Sequence, residues 1–326
     1  LEQCRAQALN RTTVRGFFQL LREVVEEYKI PMENIYNMDE KGIQLGIGSR
    51  IAAFIDRDQA TVYNIEHGNR ELVMVIEAVC ADGSFLHPLV IYQAARRDLE
   101  WPRNNPCNAS LSHSLKGWTD QELGFKWLQK DFEPQTAAQN RSGGYRLLIL
   151  DGHNSHGTYQ FCKFAANHRI IVLCLPSHTT HALQPLDVGI FRPLSSAWKK
   201  QVNEASRQFI GIKKNNLLVY YKNAHDKAMS PNTIKSAFTK AGIYPLNPDA
   251  IEESAYEPAL NTTMQPVPPV SSLLPSFLTS VPTDTSTATS LPSTATSTQP
   301  QSAPWATAGD PLAQTSHIIQ PHSVPR

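Results

Sequence analysis

Three aspartates stand in settings that could support chemistry. Asp39 follows an apolar stretch in Ile35-Tyr36-Asn37-Met38-Asp39-Glu40. Asp151 ends the run Arg146-Leu147-Leu148-Ile149-Leu150-Asp151-Gly152-His153. Asp187 sits in Leu183-Gln184-Pro185-Leu186-Asp187-Val188-Gly189, with thirty-five residues between it and Asp151. Breaking or transferring a phosphodiester needs an activated nucleophile, neutralised charge and a stabilised leaving oxygen. Two divalent ions about 3.5–4 Å apart supply all three. Magnesium asks the protein for a few carboxylate oxygens and keeps its other positions for water and phosphate. Aspartates at the ends of buried strands meet that need, so cutting and joining nucleic acid is the first chemistry to test.

Each aspartate has a blander reading. Asp151-Gly152 fits a turn, and Asp187 fits a helix cap. The set is more telling than any member, because the order is strand, strand, helix and each carboxylate adjoins a buried element. Histidines offer a competing site. His153 and His156 are spaced HxxH, as are His178 and His181, and four such residues could bind zinc for a hydrolase. Both pairs fall in loops, where this spacing imposes no common face. Lining the acidic cleft is the simpler role for them. Ser155, Ser177 and His178 form no recognisable nucleophile elbow.

The surrounding sequence must bring the aspartates together. Residues 12–28 place Val14, Phe17, Phe18, Leu21, Val24, Val25 and Tyr28 on one helical stripe, with Thr12 or Thr13 as cap and Pro31 beyond the end. Residues 35–39 read as a short strand, with Gly42, Gly46 and Gly48 marking turns. Leu72–Cys80 and residues 85–92 read as a hairpin about the turn 81–84. Residues 94–118 read as loop. Thr119-Asp120-Gln121-Glu122 fits a capping box before a helix bearing Leu123, Trp127 and Leu128. Arg146–Leu150 and residues 170–175 read as strands buried on both faces, with a helix over 158–167 between them. That is a parallel β-α-β unit. Ile190, Phe191, Leu194 and Trp198 then make a helical stripe, with Pro193 in its first turn. Arg192, Lys199 and Lys200 on this helix are candidate phosphate contacts.

The chain has 326 residues, is 41% hydrophobic and carries a net charge of +1. The charge is uneven. Residues 251–326 hold five acidic residues and one basic, leaving 29 Lys and Arg against 24 Asp and Glu in the rest. The front part is therefore mildly basic and compatible with a polyanionic partner. Twelve of the 23 prolines also lie in 251–326, among Ser and Thr runs. Such a tail is expected to be disordered. Five cysteines without a CxxC pair predict reduced thiols in an intracellular protein. No apolar run approaches the roughly eighteen residues of a membrane span, so no membrane partner is expected. The sequence starts at Leu1 rather than Met, and upstream sequence is expected.

Several motifs together resemble the pogo/Tigger-like DDE transposases of the mariner-like superfamily. They are Asn37-Met38-Asp39-Glu40-Lys41-Gly42, residues 148–156 around Asp151, and residues 175–191 around Asp187. Gly68-Asn69-Arg70-Glu71, Gly117-Trp118-Thr119-Asp120 and residues 237–248 add to the match, which spans roughly 10–250. The resemblance implies a ribonuclease-H-like α/β fold, a mixed sheet flanked by helices. On this reading 1–33 is a helical lead-in, 34–250 the endonuclease domain and 251–326 the tail. It implies that Asp39, Asp151 and Asp187 are catalytic and hold two Mg²⁺ or Mn²⁺ ions for strand cleavage and transfer on DNA. It also implies a nuclear location and, by analogy with end synapsis, a homodimer on DNA. Such families also yield catalytically inactive nuclear DNA-binding or scaffolding proteins, which is the alternative reading. The chain departs from the family at Tyr92-Gln93-Ala94-Ala95, where a Lys-Gly pair is frequent, and at Met74, where threonine is common.

Overall fold

The computed structural model describes residues 7–46, 70–152, 158–259 and 318–319. Its centre is a mixed sheet built around β1 (Ile35–Gln44). On one side β1 pairs antiparallel with β2 (Leu72–Cys80), which pairs antiparallel with β3 (Leu89–Gln93). On the other side it pairs parallel with β5 (Arg146–Leu150), which pairs parallel with β6 (Ile170–Cys174). β4 (Ser110–Ser114) adds an edge parallel to β3. The two residues of β7 (Ile318–Ile319) pair antiparallel with β6. The order is β4-β3-β2-β1-β5-β6-β7, and the β3-β2-β1-β5-β6 part has ribonuclease-H-like topology, the expected fold class.

Strand alternation sorts the side chains into two cores. Odd-numbered Ile35, Val73, Val75, Leu147 and Ile149 face one core. Helix α1 (Arg11–Glu27), α6 (Phe191–Arg207), α7 (Leu217–Ala228) and α8 (Pro231–Lys240) contribute to it. Even-numbered Tyr36, Met38, Ile76, Leu148 and Leu150 face the other. There they meet α2 (Gln121–Trp127), a wide helical turn over Leu128–Phe132 and α4 (Tyr159–Asn167). Between α2 and α4 the wide turn runs into α3 (Glu133–Gln139). Both faces of the sheet are thus covered, and each large apolar side chain buried there contributes about 1.5–3 kcal/mol.

Several local expectations change. The cap of α1 is Asn10, whose Oδ1 accepts from the Thr13 N–H at 2.9 Å, rather than Thr12 or Thr13. β1 continues through Gly42 to Gln44, because nine of its residues find antiparallel partners on β2. The expected loop 94–118 contains β4, whose short polar sequence Ser-Leu-Ser-His-Ser carries little strand signal. Asp120 rather than Thr119 caps α2, accepting from the Leu123 N–H at 2.9 Å. The second hairpin strand starts at Leu89 and not at Phe85, which makes only an isolated bridge to Val79. Residues 251–259, assigned to the tail by composition, are folded. Tyr256 is buried there, Arg11 pairs with Glu253, and the Arg11 guanidinium lies 5.5 Å from the centre of the Tyr256 ring. Apart from the two residues of β7, the remaining tail lies outside the described residues.

A close approach holds the last acidic segment in place. A Cβ on Gly189 would lie 2.6 Å from the Ala237 Cβ and 2.9 Å from its Cα, on α8. Gly189→Ala is therefore expected to destabilise by about 1–3 kcal/mol through overpacking. Gly16→Ala on the exposed face of α1, where a Cβ meets nothing within 4 Å, is expected to stabilise by up to about 1 kcal/mol. Urea midpoints of the two variants test the contrast, and equal shifts would refute the packing account.

Candidate active site

Asp39 and Asp151 share one end of the sheet because of the parallel pairing between β1 and β5. The register runs Ile35↔Leu147, Tyr36↔Leu148, Asn37↔Ile149. Asp39 and Asp151 each stand two residues beyond the last of these pairs. Both therefore point to the same face as Asn37 and Ile149, at the carboxyl end of parallel strands, where open α/β sheets bind ligands.

Asp187 arrives from another segment. After β6 the chain forms α5 (Thr180–Leu183), then a wide helical turn over Leu186–Ile190 that leads into α6. Asp187 is the second residue of that turn and is exposed, whereas Asp39 and Asp151 are half-buried. The buried Asn37 side chain connects the three segments. Its Nδ2 donates to the Ile149 carbonyl at 3.0 Å, and its Oδ1 accepts from the Leu186 N–H at 3.0 Å.

The three carboxylates act on one another electrostatically. The carboxyl of Asp39 is held well above the usual range, first by burial and then by Asp187, with Asp151 adding to the effect. The Glu40 N–H, donating to Asp39 Oδ1 at 2.7 Å, opposes it. Asp187 is also raised: although the residue as a whole is exposed, protein crowding on one side of its carboxyl desolvates it, and Asp151 adds to the effect. The Lys41 ammonium, the Thr180 hydroxyl and His181 pull it back down. Lys41 Nζ itself lies 5.2 Å from the centre of the Phe191 ring. Crowded, partly desolvated carboxylates of this kind are costly as free anions, and hard divalent cations are the partners that relieve that cost. The donor set thus fits Mg²⁺ or Mn²⁺ chemically. Among the described residues, however, no three His, Cys, Asp or Glu side chains are grouped closely enough to hold one ion together. The aspartates share a field rather than a finished coordination sphere.

The other candidates fall unevenly. His153 and His156 lie outside the described residues. His178 and His181 are exposed, and His181 is near enough to Asp187 to influence it. Arg192, Lys199 and Lys200 are exposed on α6. Of these, Lys199 lines a groove of about 270 Å³ with Lys41, Gln44, Ser195 and Trp198. The Trp198 indole N–H, donating to the Gln44 carbonyl at 2.9 Å, ties α6 to β1 there.

Reading the sequence missed three residues. Asn37 carries no assigned role in its motif, although a polar residue two places before Asp39, on the same strand face, is a usable signal. Glu77 is fully buried on β2, directly opposite Asp39 on β1. It accepts from the Tyr221 hydroxyl and lies 3.4 Å from His225 Nε2. Its signal was a lone charge inside the apolar run 72–80. Gln184 is fully buried, and its amide finds no hydrogen-bond partner among the described residues. Nothing in the sequence announces that.

Residues 69–238 match the family described as DDE superfamily endonuclease. A Cochliobolus lunatus protein named MFS-type transporter clz9 is 32% identical over 228 residues, which cover 69% of this chain and 25% of that protein. The human protein named Pogo transposable element with ZNF domain is 26% identical over 192 residues, 58% of this chain and 13% of that one. The chain thus spans a quarter or less of the length of these relatives. The transporter name belongs to the whole fungal protein. Among the described residues of this chain, no helix is long and apolar enough to cross a membrane. The solved Mos1 transposase paired-end complex with left transposon end is 14% identical, with a TM-score of 0.39, covering 72% of this chain and 63% of that one.

The raised Asp39 carboxyl makes a prediction about stability. A carboxyl whose folded pKa exceeds its unfolded value favours the fold at acid pH. That contribution is lost as pH rises through the folded pKa. Asp39→Asn should therefore raise Tm at pH 8, with divalent cations chelated, by a few degrees, as about 1 kcal/mol does in a domain of this size. The gain should shrink toward pH 4. A variant that melts below the native protein at pH 8 would contradict the account.

Proposed function

Because this chain belongs to the DDE superfamily endonucleases, with pogo-like relatives, we propose that it binds DNA and catalyses divalent-metal-dependent phosphodiester cleavage and strand transfer. Asp39, Asp151 and Asp187 would hold two Mg²⁺ or Mn²⁺ ions. When bound, such ions lower the pKa of an attacking water or 3′ hydroxyl and neutralise the leaving oxygen. The observation that carries this reading is the β1–β5 register, which puts Asp39 and Asp151 at matched positions on the same sheet end.

The chain's own residues have separate tasks. Asp39, anchored on the central strand and half-buried, supplies the most strained carboxylate and so the one with most to gain from a cation. Asp187, on a helical turn against α8, would complete the set. Lys41, which acts on Asp187, and Lys199 line the groove beside β1, suited to the phosphates of the strand next to the scissile bond. His178 and His181 border the Asp187 segment and would contact phosphate or orient a carboxylate, as would His153 and His156 after Asp151. Action on chromosomal DNA implies a nuclear site, and joining two ends implies two copies on DNA.

A second reading is a DNA-binding scaffold without turnover. It is favoured by the absence, among the described residues, of a three-donor group close enough for one ion. One assay separates the two: labelled duplex incubated with Mn²⁺ or Mg²⁺. The nuclease reading expects cleavage that falls roughly 10²–10³-fold in Asp151→Asn, the loss of several kcal/mol of charge stabilisation. Salt-sensitive binding with no cutting in either metal would establish the scaffold. Stoichiometric zinc in the purified protein would support neither and would return attention to the histidines.

A further inference from the structure

We infer that Asn37 is a positioning residue that sets where Asp187 stands relative to Asp39 and Asp151, and thereby the affinity of the site for divalent cations. The inference rests on the proposed nuclease reading and deepens it.

Asn37 is fully buried within the core on the face of α1, α6, α7 and α8. A buried amide must satisfy its polar atoms inside the protein, and this one does so on two segments far away in sequence. Its Nδ2 donates to the Ile149 carbonyl, and its Oδ1 accepts from the Leu186 N–H, both at 3.0 Å. Each partner is close to an acidic residue along the chain. Ile149 precedes Asp151 by two residues, Leu186 precedes Asp187 by one, and Asn37 itself precedes Asp39 by two.

The Leu186 contact has a specific physical meaning. Leu186 opens a helical turn, where N–H groups lack partners within the helix. Asn37 therefore caps that turn from another strand and fixes the height at which Asp187 leaves it. The Ile149 contact adds a side-chain link to the backbone pairing of β1 and β5. No other side chain of this size does both. Aspartate can accept but not donate once ionised, leucine can do neither, and glutamine is longer by a methylene. Gly189 presses the same turn onto Ala237 from the other side, so it is held between a hydrogen bond and a steric stop.

The test uses the full chain and Mn²⁺, with bound ion read by electron paramagnetic resonance and cleavage measured over a Mn²⁺ titration. Removing an outer residue that orients metal ligands costs roughly 10–100-fold in metal affinity, and that is the rise expected in half-saturating Mn²⁺ for Asn37→Ala. Leu148→Ala is the control. It opens a cavity on the opposite face of β5 and should lower Tm while leaving half-saturating Mn²⁺ within about twofold, the scatter of ordinary context effects. Should Asn37→Ala fail to fold, Asn37→Asp, which keeps the acceptor for Leu186 and loses the donor to Ile149, makes the same comparison. Unchanged Mn²⁺ affinity in the folded Asn37 variant, or an equal shift in Leu148→Ala, overturns the inference and leaves the nuclease reading standing. A native protein that binds no Mn²⁺ overturns both.

Discussion

Three residue pairs between β1 and β5 govern where the rest of the site can be. Parallel pairing of Ile35, Tyr36 and Asn37 with Leu147, Leu148 and Ile149 puts Asp39 and Asp151 at equal distances beyond the last of these pairs. A register slip of one residue would turn an aspartate to the opposite core. Alternation fixes the faces: Tyr36, Met38, Leu148 and Leu150 must face the helices of one layer. Asn37, Asp39, Ile149 and Asp151 then face the other. The hydrophobic pattern that stabilises the fold also specifies the common direction of two carboxylates.

Electrostatics pull the other way. Asp39 and Asp187 both resist ionisation, first through burial; Asp187 and Asp151 make it harder for Asp39, and Asp151 for Asp187. Lys41 and the Thr180 hydroxyl soften this for Asp187. Behind them, directly across from Asp39, Glu77 is a further buried carboxylate, engaged by Tyr221 and His225. Packing of two apolar cores holds charge where it would otherwise disperse, a stability cost of the sort active sites commonly carry. The contrast between these two is informative: Asp39, on the central strand, is raised further, and Asp187, on the exposed turn, has Lys41 and His181 to lower it.

Local signals in the sequence were good where periodicity was clean. β2, β5 and α1 follow the apolar runs and stripes closely, because their patterns match a single environment along the whole element. They were poor where tertiary partners supply the stability. β4 is a strand because β3 offers it an edge. The second half of β1 is a strand because β2 runs alongside it past Gly42. Helices α7 and α8 lie outside the elements expected from the sequence, although Leu217, Leu218, Tyr221 and Ala224 line the core side of α7 and Ile234, Ala237 and Phe238 that of α8. Residues 251–259 meet Arg11, a residue far away in sequence, through Glu253 and the Tyr256 ring, which composition cannot anticipate.

The sequence by itself determined the family and the α/β class and singled out three aspartates as candidates, because residue types in long, specific motifs survive without coordinates. It also determined which strands are buried on both faces, since unbroken apolar runs have no other stable place. Only the tertiary structure decided that Asp39 and Asp151 share a register. It alone showed that Asn37 joins the turn of Asp187 to them and that Gly189 presses that turn against α8. Those are relations between segments separated by more than a hundred residues or by a packed helix. Hydrogen-bond direction and steric contact between such segments exist only once the chain has closed on itself.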